Sequence, residues 1–377
     1  MEPQAVKNHK EVILNQVQRI QERFLHGMDV LTSNMDLEVG TTPKELVYEE
    51  DKVKMYHYTP VVKERYSPPV LMVYALVNKQ YMLDLQPDRS VIRNLLSHGI
   101  DVYIIDWGYP SPGDKYLTME DYIDGYLSNC VDFVCKEANV KQINLMGICQ
   151  GGTFSVIYSA LNPEKVKNLI TTVAPIDFDT KDGLLHVWSY YLDIDKMVDV
   201  LGNIPGDFMN IGFLLLNPFR LIFDKYVNFL EHIDDKAFVS NFIKMEKWIF
   251  DSPDQAGEAF RKFIKDMYQN NLLVKNEFQL GGKTVDLRNI TMPVLNVFGE
   301  NDHLVPPAAS RPLIDLIRSK DKENYSFPTG HIGIFVSSRS QKELCPKVAS
   351  WLKKRSTLLK SGQEKQKKDI KKGRKRG

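Results

Sequence analysis

At 377 residues, with 43% hydrophobic and 26% charged side chains, the chain can bury a large core as one big domain or two modest ones, so burial does not limit its stability. Its 49 basic and 48 acidic residues leave a formal net charge of +1, ordinary for a globular protein, which excludes no small-molecule substrate and gives no sign of a nucleic-acid partner. Four cysteines, Cys130, Cys135, Cys149 and Cys345, have neither the count nor the clustering of a disulfide framework or a zinc site, and a reducing cytoplasm is the expected compartment.

The N-terminus lacks the apolar core of a signal peptide, and no uninterrupted apolar run reaches the roughly 20 residues that span a bilayer. Residues 1–37 read as a helical segment, because Ile13, Leu14, Val17, Ile20, Phe24, Met28 and Leu31 recur at a helical period. It either packs on its own domain or docks a partner subunit. From Lys44 the texture changes: "ELVYEEDKVKMYHYTP" alternates like two antiparallel strands, and "PVLMVYAL" is an apolar run suited to a buried strand.

A strand and helix rhythm follows. "DVYIIDWG" comes after a helix capped near Ser90, "QINLMGIC" after a helix through Tyr122 to Val134, and "VKNLITTVAPID" after a helix that begins at Gly151-Gly152. Later come "PVLNVFGEND", a helix over about 308–318, "NYSFPTG" and a last helix through Trp351. This pattern predicts a mostly parallel sheet wrapped by helices, with its core in 38–177 and 281–355. Between them, 178–280 lose the alternation and read as a mainly helical cap inserted after the sixth strand, placed to roof a site and limit access by water. Within it "IGFLLLNPF" is too short to span a membrane and reads as core or as an apolar surface in a loop-helix region. The end, 356–377, is too polar to pack and reads as a disordered basic tail, either solvated or in contact with a polyanion.

The chemistry centres on "LMGICQGGTFSV". A strand, then Gly147-x-Cys149-x-Gly151, then a helix is the context of a nucleophile elbow, with cysteine where such turns usually hold serine. Glycines without Cβ let strand and helix approach closely around a strained nucleophile, and the helix N-terminus favours negative charge there. The Gln150 N–H can donate to an oxyanion, and a second donor is expected from the loop after "PVLMVYAL", near Val77. On α/β-hydrolase folds the acid and the histidine follow the nucleophile in that order, at the ends of later strands. Asp302, after "VLNVFG", and His331, in "PTGHIG", meet that expectation, with His303 as a helper or loop-packing residue. His57, His98 and His186 have no constellation around them. Cys130 and Cys135 read as packing residues on a helix, and no Walker loop, dinucleotide fingerprint or metal-ligand cluster occurs.

A thiol at such an elbow has a chemical rationale. An acyl group on cysteine is a thioester, so loading from another thioester is nearly isoenergetic, while onward transfer to an alcohol is downhill. A transferase from thioester to hydroxyl gains most from it. His331, with an ordinary pKa near 6.5, would act as base to the thiol. Asp302 would either orient His331 or help it activate the incoming hydroxyl.

The segments "VYALVNKQYMLDLQPDRSV", "DVYIIDWG", "GICQGG", "GNIP", "MYQNNLLVK", "GENDHLVP" and "PTGHIG" occur in an order that resembles the polyhydroxyalkanoate synthases, above all the short catalytic subunits of the two-subunit classes, class III with class IV close. The resemblance covers roughly 38–351. It implies polymerisation of an (R)-3-hydroxyacyl-CoA, typically 3-hydroxybutyryl-CoA, with release of CoA and a polyester carried on Cys149. It further implies His331 as the base and Asp302 as the residue assisting the 3-hydroxyl. No cofactor is implied, since the coenzyme A thioester is the substrate. A small accessory synthase subunit of the class III or class IV type, a homo- or hetero-oligomer, and a cytoplasmic location at the surface of polyester granules are also implied. The rival readings are a cysteine hydrolase of the same fold, either an acyl-CoA thioesterase or a dienelactone-type enzyme, and a noncatalytic granule-coat protein.

Overall fold

The computed structural model describes residues 35–359, together with 26, 29 and 30. Most of the expected N-terminal helix, and the basic tail from 360 on, lie outside the described residues. Nine strands form the main sheet: β1 (Lys44–Glu50), β2 (Val53–Tyr58), β3 (Arg65–Val73), β4 (Ile100–Asp106), β5 (Ile143–Ile148), β6 (Val166–Thr172), β7 (Val294–Gly299), β8 (Lys322–Phe327) and β9 (Thr357–Leu359). Their spatial order is β1-β2-β4-β3-β5-β6-β7-β8, with β9 beside the start of β3. β1, β2 and β4 pair antiparallel, as does β9 with β3, while every pair from β4 through β8 is parallel.

The central strands are buried on both faces, and this is why β5 and β7 read as mostly apolar runs, each interrupted by one buried asparagine, Asn144 and Asn296. Alternation still sorts the side chains. Leu71 and Val73 of β3 face Val131 and Phe154, on α2 (Ser128–Ala138) and α3 (Gln150–Leu161). Val70 and Met72 face Leu95 and Trp351, on α1 (Val91–Ser97) and α10 (Cys345–Lys353). Ser90 caps α1, its side chain accepting the Arg93 N–H at 2.9 Å.

Between β6 and β7 no strand joins the main sheet. Six α-helices lie in that interval: α4 (Leu184–Tyr191), α5 (Ile194–Leu201), α6 (Gly206–Leu215), α7 (Lys225–Glu231), α8 (Lys236–Phe250) and α9 (Gly257–Phe263). The apolar run 211–219, which starts in α6 and continues past its end, divides: Phe213, Leu214 and Leu216 turn into a cavity, while Ile211, Leu215 and Phe219 are exposed. Plain core burial therefore does not describe it.

Two expectations need correction. The helix predicted over 308–318 is two short turns, Pro307–Ser310 and Leu313–Leu316, because Pro312 has no N–H to continue the first. The sheet also extends past 355. Thr357–Leu359 pair with Arg65–Ser67, an edge segment that β5 reaches only from Val70 on.

Candidate active site

β5 ends at Ile148 and α3 starts at Gln150, leaving Cys149 alone to turn the chain. It does so at φ +53° and ψ −126°, a conformation that an L residue adopts only under constraint. The constraint is visible: its N–H donates to Thr172 O at 2.9 Å, and its carbonyl accepts the N–H groups of Gly152 and Thr153 at 2.8 and 3.3 Å. The flanking glycines are required by space. A Cβ on Gly147 would lie 2.5 Å from Ser155 Oγ and from Gly152 Cα, and one on Gly151 would collide with the carbonyls of Val73 and Tyr74.

Asp302 follows β7 and His331 follows β8, and both are buried. His331 Nδ1 donates to Asp302 Oδ2 at 2.7 Å. The other oxygen, Oδ1, accepts the N–H groups of Leu304 and Val305 at 2.9 and 2.8 Å. Burial opposes a charge on His331. The Asp302 carboxylate and the Cys149 sulfur, each also hydrogen-bonded to the ring, outweigh burial and push its pKa up to about 10.

Cys149 and His331 open onto a cavity of about 230 Å³. Its floor carries Gln150, Val77 and Tyr74, and its roof is apolar, with Phe213, Leu216, Trp248, Phe260, Phe263 and Tyr268 from the helical insert. Asp302 is absent from the lining, so it reaches this space only through His331. His303 does line it, with Nδ1 buried and unpartnered. Its pKa is lowered, first by burial and also by Arg220 and His331, against the pull of Asp302, which leaves a neutral ring.

The remaining predicted residues stand apart. His57 lies 2.7 Å from Asp101, His98 bonds Asn94 O at 2.8 Å, and His186 bonds Phe178 O at 3.0 Å; none lines the cavity. Cys130, Cys135 and Cys345 are buried, and burial pushes the thiols of Cys130 and Cys345 up to about 12, as suits packing groups. Among the described residues no group of three or more His, Cys, Asp or Glu is placed to hold a metal ion. Two contacts went unread in the sequence, those of Gln150 and Gln255 with Leu76. The aromatic texture of 178–280 pointed to the roof but not to its individual members.

Residues 68–338 match the family model described as alpha/beta hydrolase fold, and residues 10–95 match that of the poly-beta-hydroxybutyrate polymerase (PhaC) N-terminus. The chain is 52% identical to the poly(3-hydroxyalkanoate) polymerase subunit PhaC of Synechocystis sp., over 89% of this chain and 91% of that one. The chain belongs to the PhaC family. The namesake subunit of Allochromatium vinosum is 53% identical over 87% of this chain and 93% of that one. PhaC proteins are polymerases, hence acyltransferases. A soluble variant of the Saccharomyces cerevisiae monoglyceride lipase superposes with a TM-score of 0.52 at 16% identity, covering 86% of this chain and all of that one, and this likeness shows the fold alone.

Proposed function

We propose that this PhaC chain polymerises (R)-3-hydroxyacyl groups from their coenzyme A thioesters, 3-hydroxybutyryl-CoA foremost, through a thioester on Cys149. The observation that carries the reading is a cysteine at a strained elbow, hydrogen-bonded to a buried His331–Asp302 pair, under an apolar roof.

With the proton already held on the His331 ring, the Cys149 sulfur attacks the thioester carbonyl, a C–S bond forms, and the carbonyl electrons move to oxygen, facing the Gln150 and Val77 N–H groups. Collapse restores the carbonyl and expels the CoA sulfur, which takes the proton back from His331. The 3-hydroxyl of a second acyl group then attacks the Cys149 thioester. His331 accepts the hydroxyl proton, with Asp302 holding the ring, and returns it to the leaving sulfur. The apolar roof excludes the water that would divert the acyl-enzyme to free acid.

The name "polymerase subunit" borne by the relatives supports a small accessory subunit alongside this chain. The exposed Tyr191, Phe219 and Phe223 on the insert suit a position at a granule surface. The decisive experiment quenches the protein during turnover of 3-hydroxybutyryl-CoA and weighs the peptide that carries Cys149. Substrate mass on that sulfur together with insoluble polyester supports the reading. Free acid in one-to-one ratio with CoA makes the chain a thioesterase, and polymer formed by Cys149→Ala would dismiss the thioester altogether.

A further inference from the structure

The proposed reaction asks two N–H groups to meet one oxygen. That of Gln150 is aimed by its place at the first position of α3, where no backbone acceptor claims it. Val77 has no such support, for it lies in the loop after β3, outside any helix or strand.

The residue before it supplies an answer. Leu76 is held at both of its backbone groups by glutamines: its N–H donates to Gln150 Oε1 at 3.1 Å, and its carbonyl accepts Gln255 Nε2 at 2.9 Å. The Leu76 carbonyl and the Val77 N–H belong to one rigid, trans peptide plane and point in opposite directions. Fixing the carbonyl on Gln255 therefore fixes the N–H of Val77 on the other side. Among the described residues no hydrogen-bond acceptor takes that N–H, and Val77 lines the cavity into which Cys149 opens. Gln255 is itself immobilised. It is 3% exposed, and its backbone pairs in both directions with Ile204, at 2.8 and 2.9 Å. The same stretch of the insert grips the loop again, where Trp248 Nε1 donates to Lys79 O at 2.7 Å and Ser252 Oγ accepts from Asn78.

We propose that Gln255 is a positioning residue: from the helical insert it aims the Val77 N–H at the thioester oxygen, so that the second oxyanion donor exists only while insert and core are in contact. This rests on the reading of Val77 as a donor in thioester formation.

The test uses the full chain with Gln255→Met, which keeps the length of the side chain and removes its donor, and Gln255→Glu, which puts an acceptor there. Two rates are measured. One is single-turnover release of CoA from 3-hydroxybutyryl-CoA, which develops an oxyanion. The other is alkylation of Cys149 by iodoacetamide, which develops none but still needs the elbow and His331. The expected result is acylation roughly 10–100-fold slower in both variants, with KM held and alkylation within about 2-fold of the parent. Unchanged acylation, or acylation and alkylation falling together, overturns the role given to Gln255 alone. A parent chain that places no acyl group on Cys149 overturns the thioester reading, and this inference with it.

Discussion

The Asp302 carboxylate gives one oxygen to His331 Nδ1, at 2.7 Å, and the other to the backbone of Leu304 and Val305. Both oxygens are engaged and Asp302 has no surface on the cavity, so under the proposed reaction its route to substrate is the ring. The two half-reactions need that ring unequally. A thiol ionises near pH 8.5, whereas an aliphatic hydroxyl is a far weaker acid, so attack by the 3-hydroxyl depends more on a well-supported base. Asp302→Asn is therefore expected to retain a burst of CoA release while steady chain growth falls roughly 100-fold or more. Rapid-quench measurement of CoA against time separates the phases. Loss of the burst in equal measure would show that Asp302 serves thiol and hydroxyl alike.

Gly151 packs against the end of β3, where an added methyl would strike the carbonyls of Val73 and Tyr74. Neither partner can yield without moving the strand that leads to Val77. Gly151→Ala is expected to cost about 1–3 kcal/mol by overpacking, read as a lower denaturation midpoint in urea, and to slow acylation of Cys149 as well. Unaltered stability would mean that helix and strand separate more easily than the contact implies.

The elbow, the acid and the histidine were legible in the chain because each is a local pattern: a strand's apolar run, then the residue that follows its end. Cys149, Asp302 and His331 lie just past β5, β7 and β8, and their order alone brings them to one edge of the sheet. The grip on Leu76 was not legible. Gln255 meets it across 179 positions, and a glutamine in a polar stretch carries no sign of the carbonyl that it will find. The strand at Thr357–Leu359 escaped for a similar reason, since three residues are too few to show a period. Pro312 did carry a signal, the missing N–H of proline, which outweighed the helical spacing around it.

Polar side chains buried within the sheet offer a further check. Asn296, fully buried on β7, accepts from Thr171 Oγ1 on β6 at 2.7 Å and donates to Asn324 on β8 and to Ser310 O, both at 2.8 Å. Asn296→Leu would strand Thr171 Oγ1 and the Ser310 carbonyl away from water, whereas the exposed Asn324 can turn to solvent. At about 1–3 kcal/mol for each buried group left unpaired, the variant should be markedly less stable and expose the strands that carry Asp302 and His331. Hydrogen exchange at β7 and β8 reads this directly, and protection equal to that of the parent would show that the two buried groups find other partners.

The pair that begins at Asp302 also makes stability depend on pH. The folded-state pKa of His331 stands at about 10, above the ordinary value near 6.5, so the folded protein holds the imidazolium proton more tightly than the unfolded chain does. This contribution is fully present below the unfolded value and is lost as pH climbs through the folded one. Between about pH 6.5 and 10 the parent should therefore lose stability relative to His331→Gln, which has no such proton to hold. Urea midpoints of both proteins across that window provide the measurement. A constant difference between them would mean that the ring beside Cys149 and Asp302 gains no hold on its proton by folding, and the charged pair would have to be abandoned.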